Sequence, residues 1–223
     1  MKSSDPGFEI VPNVFHGSEL APVDLALESH RETRSKAGAR HLLRVPSVGV
    51  LANDGRLLDI ARAMLGRRPI PFRATLFDKS VGANWLVVWH QDTALPLQRR
   101  VEAHGWGPWS VKAGVVYAHA PASALAEVVA LRVHLDDSDS ANGPLRVLPG
   151  THTLGVLSDE RIGHLQRDIV PLECLSLAGG VVAMRPLLVH ASSKSRDRRP
   201  RRVLHIEYAT RVDLAQDIEL AVA

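Results

Sequence analysis

The chain has 223 residues, 45% hydrophobic, 23% charged and 4% aromatic, which supports one sizeable core over residues 1–223 and excludes disorder from lack of hydrophobicity. Lysine plus arginine exceed aspartate plus glutamate by 27 to 24, and a net charge of +3 marks no dedicated nucleic-acid surface. A lone cysteine, Cys174, excludes a disulfide framework, and with neither a secretory apolar segment nor a run of the about 20 apolar residues a membrane helix needs, the expectation is a cytoplasmic protein without a membrane partner.

Residues 1–68 read as a mostly helical lead-in. It contains a short apolar stretch, Phe8-Glu9-Ile10-Val11, and then helical spacing over residues 17–35 (Leu20, Val23, Leu25, Leu27), with Pro22 suited to a first turn. A second helix is better marked: Asn53-Asp54 cap it, Leu57, Leu58, Ile60, Ala61 and Met64 line one face, and Gly66 stands at its end. After Pro69 and Pro71 the pattern changes to short apolar runs punctuated by Gly, Pro, Asn and Asp. Strands are expected at residues 72–77, 85–90, 114–117, 128–135, 145–148, 169–175, 181–184, 187–190 and 203–209, with a short helix at 158–166 capped by Ser158. Two helices followed by eight or nine short strands point to a mainly β fold, closed or double-sheeted, rather than to alternating βαβ units. Such folds fill their interior with side chains or enclose one small-molecule cavity.

The strongest local signal is Trp89-His90-Gln91-Asp92. Side chains two apart on a strand share a face, so His90 and Asp92 project together as two-thirds of a facial triad, the arrangement that holds Fe(II) and leaves positions open. The third ligand, another histidine, must come from elsewhere. A second cluster supplies a candidate: His190 ends the run Met184-Arg185-Pro186-Leu187-Leu188-Val189-His190, and Arg201 follows 11 residues later at the start of the next strand. A hairpin of that length returns the chain beside the histidine, where a guanidinium can clamp a carboxylate in bidentate fashion. Only one of the neighbours Arg201 and Arg202 can face inward, and strand alternation alone does not choose between them.

His90-x-Asp92, the turn Asn142-Gly143-Pro144-Leu145-Arg146-Val147-Leu148-Pro149-Gly150-Thr151-His152, and His190 followed by Arg201 together resemble the phytanoyl-CoA dioxygenase family over roughly residues 70–210. The resemblance implies a double-stranded β-helix, or cupin-like jelly roll, with its core over 69–210. It implies Fe(II) held by His90, Asp92 and His190, and 2-oxoglutarate as co-substrate. The distal carboxylate of 2-oxoglutarate would be bound by Arg201, the first of the two arginines, helped by the Ser192 hydroxyl. Related halogenases lack the carboxylate ligand; with Asp92 present, the implied reaction is hydroxylation of a C–H bond of a small molecule, with 2-oxoglutarate and O2 converted to succinate and CO2.

Arg73, Lys79 and Asn84, on or before the strand leading to His90, are candidates for the co-substrate or substrate pocket, and Trp106 and Trp109 for a lid or substrate wall. His104, His119, His134, His152, His164 and His205 have no partner at ligand spacing, and Cys174 reads as an inert buried thiol. Gly179-Gly180 stands where many relatives have Gly-Asp and reads as a turn variation away from the site. The rival reading is a non-catalytic jelly-roll protein that binds or senses a metabolite. The basic segment 194–202 permits phosphate contacts, but Asp197 interrupts it and aromatic interleaving is absent, so no nucleic-acid partner is expected. Substrate identity and oligomeric state are not legible.

Overall fold

The computed structural model describes residues 5–29, 38–80, 82–215 and 217–223. The apolar stretch near the start is strand β1 (Phe8–Val11), followed by α1 (Gly17–Ser29), whose Leu20, Val23 and Leu27 form a buried stripe at helical spacing. The expected continuation of this helix to residue 35 lies outside the described residues. After β2 (Gly38–Ala39) comes a helix the sequence pattern did not announce, α2 (Pro46–Ala52), with proline in its first turn and Val48, Leu51 and Ala52 buried. In α3 (Gly55–Leu65) the Asp54 side chain accepts from the Arg56 N–H, and Gly66 closes the helix in the left-handed conformation, φ 70°.

The strands that follow are β3 (Ile70–Lys79), β4 (Val87–His90), β5 (Ala94–Leu97), β6 (Trp109–Lys112) and β7 (Val115–His119). Beyond a single turn, α4 (Ala122–Leu125), come β8 (Val128–His134) and β9 (Leu145–Val147). Then α5 (Asp159–Asp168), capped by Ser158, leads to β10 (Leu172–Cys174), β11 (Val181–Met184), β12 (His190–Ser192), β13 (Arg201–Ala209), β14 (Asp213–Ala215) and β15 (Ile218–Glu219). The strand expected at 187–190 is thus a turn that delivers His190 to the first position of β12, and the one expected at 169–175 shortens to β10. Strands β5 and β6 had no counterpart in the sequence reading.

Two antiparallel sheets carry the architecture, one in the order β1-β11-β8-β13-β3-β2 and one in the order β10-β9-β12-β4. Their inner faces meet, since Lys79 of β3 and Arg201 of β13 both hydrogen-bond Ser192 of β12. This is the jelly roll, mainly β with flanking helices. The large sheet obeys a strict period of two. Ala74 and Leu76, Val129, Leu131 and Val133, and Leu204, Ile206 and Tyr208 face α1–α3 and form the main core with them. The Tyr208 hydroxyl donates to the Ala52 carbonyl at 3.0 Å and ties α2 to this face.

The alternate positions point inward and, apart from Val203 and Phe77, are polar. Register pairs Arg201 with Lys79, Val203 with Phe77, His205 with Thr75 and Glu207 with Arg73, and on the other side His205 with Arg132 and Val203 with His134. The barrel interior is therefore lined on one side by cations and imidazoles, a wall that makes sense only around a polar ligand.

Candidate metal centre and its two cavities

The antiparallel register of β12 and β4 places His190 opposite His90, and their rings sit side by side with centroids 4.2 Å apart. Asp92 lies just past the end of β4, where its N–H donates to the Pro186 carbonyl at 2.9 Å. That bond holds the chain so that the two-residue alternation from His90 persists beyond the strand. Asp92 Oδ1 is 3.7 Å from His90 Nε2, its Oδ2 is 3.5 Å from His190 Nε2, and ligand atoms of all three residues lie within 4.8 Å of one another.

Each imidazole is oriented from behind. His90 Nδ1 lies 2.8 Å from the Val88 carbonyl and His190 Nδ1 lies 2.8 Å from the Leu188 carbonyl. A carbonyl only accepts, so the proton sits on Nδ1 in both rings and each Nε2 turns a free lone pair to the shared centre. Burial pushes His190 down to about 4, keeping it neutral and able to ligate. Burial acts downward on His90 too, but its hydrogen bond and charge interaction with Asp92 outweigh it and leave that ring raised. Burial acts to raise Asp92, and the two histidines overcome it, holding the carboxylate well below its usual range. Two neutral nitrogens and one carboxylate on one side of a point, with the other side open, fit a divalent iron-type cation.

On one side of the centre is a cavity of about 90 Å3 bounded by Phe77, Trp85, His90, His190, Ser192 and Arg201. Arg201 is 3% exposed. Its Nη2 reaches the Ser192 hydroxyl at 3.3 Å, while Nε and Nη1 are buried with no hydrogen-bond partner. The Ser192 hydroxyl donates to the Gly143 carbonyl at 2.8 Å and accepts from Lys79 Nζ at 2.9 Å. Burial, aided by the charges of Arg201 and Arg132, pushes Lys79 down to about 7; burial and Arg132 push Arg201 down to about 9. None of these three cations pairs with a carboxylate among the described residues. A buried guanidinium without an anion is strongly unfavourable, so the cavity is shaped and charged for a carboxylate ligand.

On the other side of Asp92 lies a second cavity of about 230 Å3, bordered by Arg40, Arg73, Thr75, Asp92, Lys112 and His205 among others. Among the three ligands this cavity is bordered by Asp92 alone, whose side chain is 32% exposed.

Of the residues singled out in the sequence, His90, Asp92, His190, Ser192 and Arg201 come together here. Arg73 borders the second cavity, and its Nε pairs with Glu207 from the facing position on β13. Lys79 belongs to the Arg201 end, the co-substrate side of that expectation, through its hydrogen bond to Ser192. Asn84 does not reach either cavity: its side chain brackets the Ser195 backbone, donating to the carbonyl at 2.8 Å and accepting from the N–H at 2.7 Å, and so pins the β12–β13 connection. Trp106 and Trp109 likewise border neither cavity and pack instead on the cluster of Leu95, Leu97 and Leu214, because the loop folds back onto β5 and β7. His205 and His119, set aside in the sequence, both border the second cavity. For His205 the signal was present, since it shares the inward face of β13 with Arg201 four residues earlier.

A profile of the family described as Phytanoyl-CoA dioxygenase (PhyH) matches residues 24–203. The chain belongs to the phytanoyl-CoA dioxygenase family. It is an iron- and 2-oxoglutarate-dependent oxygenase. No curated protein sequence matches it. Solved structures with the same fold include AviO1 from Streptomyces viridochromogenes Tue57, 22% identical with a TM-score of 0.67, covering 92% of this chain and 90% of that one. EctD from S. alaskensis with bound Fe is 20% identical with a TM-score of 0.68, covering 98% and 76%. The non-heme alpha ketoglutarate dependent epimerase SnoN from nogalamycin biosynthesis is 18% identical with a TM-score of 0.67, covering 92% and 78%.

Proposed function

We propose that this member of the phytanoyl-CoA dioxygenase family hydroxylates a C–H bond of a small molecule, with His90, Asp92 and His190 holding Fe(II) and Arg201 with Ser192 receiving the distal carboxylate of 2-oxoglutarate. The observation that carries the reading is the buried Arg201 guanidinium, two of whose nitrogens lack a partner, facing the same cavity as the three converging ligands. A sensing module has no need of an open-sided metal site and a carboxylate clamp in one cavity.

When bound, iron and 2-oxoglutarate supply the activation of O2, with 2-oxoglutarate cleaved to succinate and CO2 and one oxygen atom delivered to the substrate carbon. The chain's own residues position and insulate. The Val88 and Leu188 carbonyls fix the two Nε2 lone pairs. The Pro186 carbonyl sets the direction of Asp92. Lys79 and the Gly143 carbonyl orient Ser192 so that its hydroxyl stands beside Arg201, and Phe77, Val87 and Leu145 keep water from this end. The Asp92 side stays accessible to the second substrate. Asp92 occupies the ligand position that halogenation would require to be vacant for halide.

Replacing Asp92 with Ala is expected to abolish stoichiometric Fe(II) binding and 2-oxoglutarate-dependent succinate formation together while leaving the circular dichroism spectrum unchanged. Full coupled turnover in that variant contradicts the ligand assignment.

A further inference from the structure

The second cavity carries more positive charge than its neighbours neutralise. Arg40 follows β2, Arg73 lies on β3 and Lys112 ends β6, three segments far apart in sequence that the fold brings to one opening. The Tyr117 ring gathers two of them, with the Arg73 guanidinium 5.5 Å and the Lys112 ammonium 5.0 Å from its centroid. The Tyr117 hydroxyl is in turn fixed by His41 Nε2 at 2.9 Å, which anchors the residue next to Arg40.

The acids around this opening are few and already engaged. Glu207 is taken by Arg73, and Asp92 faces the two histidines. Arg40 and Lys112 have no carboxylate partner among the described residues. Like charges held together without a counter-ion repel one another, and burial together with the charges of Arg40 and Arg73 lowers Lys112. An anion at the mouth relieves that repulsion, and Thr75, Gln91 and Thr93 on the same lining add neutral polar groups.

We propose that the substrate of this oxygenase is a small oxyanion-bearing molecule, its carboxylate or phosphate group held by Arg40 and Lys112 at the mouth of the cavity and its reacting carbon against the Asp92 side. This rests on the reading of His90, Asp92 and His190 as the reaction centre. The cavity of about 230 Å3 has room for a compact part of the substrate beside Asp92. Different cations line the two cavities, Arg132 and Arg201 in one and Arg40, Arg73 and Lys112 in the other, which separates the two anion sites by function: one clamps 2-oxoglutarate inside the barrel, the other selects the substrate at its rim.

The test is calorimetric titration of inorganic phosphate and, separately, acetate into the full chain, with and without saturating 2-oxoglutarate, for the wild type and for Arg40→Ala, Lys112→Ala and Arg201→Ala. Arg40 and Lys112 are exposed at the rim, so their removal leaves the core untouched. At least one of the two anions is expected to bind at one site per chain in the presence of 2-oxoglutarate, weakened roughly tenfold in Arg40→Ala and in Lys112→Ala and unchanged in Arg201→Ala. Preference between phosphate and acetate assigns the anionic group. Absence of binding by either anion, or equal binding in the Arg40 and Lys112 variants, overturns the proposal. Failure of 2-oxoglutarate itself to bind the Fe(II)-loaded wild type, read in its own anaerobic titration, strikes instead at the Arg201 assignment.

Discussion

At the scale of single residues, the interior is set up by histidines kept neutral through burial. His134 is 1% exposed, and neither of its ring nitrogens has a hydrogen-bond partner; burial and the charges of Arg132 and Arg201 push it down to about 3. A folded-state value below the ordinary one means that the unfolded chain binds more protons between the two, so stability falls as pH falls through that window. From pH 7 to pH 5 the His134 contribution is a loss of about 2 kcal/mol, if its unfolded value is the ordinary 6.5. His134→Leu is therefore expected to flatten the pH dependence of the urea midpoint between pH 7 and pH 5 relative to wild type. An unchanged slope would show that His134 is already protonated or solvated in the folded protein. Arg201 follows the same logic, since its charged form is also a cation: burial and the charge of Arg132 depress it, and a bound carboxylate raises it again.

Secondary-structure elements owe their positions to a few places where only glycine fits. Gly179 has φ +85°, and a Cβ there would come within 2.0 Å of the Phe15 carbonyl oxygen, the group that the lead-in presses against the turn before β11. Gly66 has a similar φ, +70°, but an added Cβ meets nothing within 4 Å. Gly66→Ala is accordingly expected to cost about 1 kcal/mol through backbone conformation alone. Gly179→Ala should cost clearly more, because backbone must move to admit the methyl group. Chemical denaturation of the two variants side by side checks this; equal losses would mean that the Phe15 contact gives way freely. The Gly179-Gly180 pair is thus a packing requirement of the turn into β11, distinct in position from the metal centre.

Across the whole molecule, what the sequence displayed depended on range. His90 and Asp92 were readable because their relation is local, two residues apart, and His190 with Arg201 because a single hairpin joins them. The marked helix at Asp54 and Gly66 was readable from its caps, whereas α2 was not, since seven residues of mixed pattern leave no period to count. Alternation in Leu131-Arg132-Val133-His134 told which side chains share a face. It did not tell that the polar face turns inward, because in most sheets that face meets water, and only closure of two sheets around a polar ligand reverses it. The cationic rim was hidden for a related reason: Arg73 stood out beside the strand leading to His90, but Arg40 and Lys112 look like ordinary surface charges until three distant segments meet. Trp106 and Trp109 drew attention as aromatics in a Gly/Pro loop, and both pack, partly buried, on the cluster that holds Leu95 and Leu97.

The central claim is that one inward-facing constellation holds both the metal and the keto acid. It is tested most directly by an anaerobic titration of Fe(II) and 2-oxoglutarate into the protein, following the visible charge-transfer absorption of a keto acid chelated to iron. The wild type is expected to develop the band at one equivalent of each, Asp92→Ala to lose it, and Arg201→Ala to need at least about tenfold more 2-oxoglutarate to reach it. A folded wild-type protein that shows no band, or an Arg201→Ala variant that titrates like the wild type, contradicts the account.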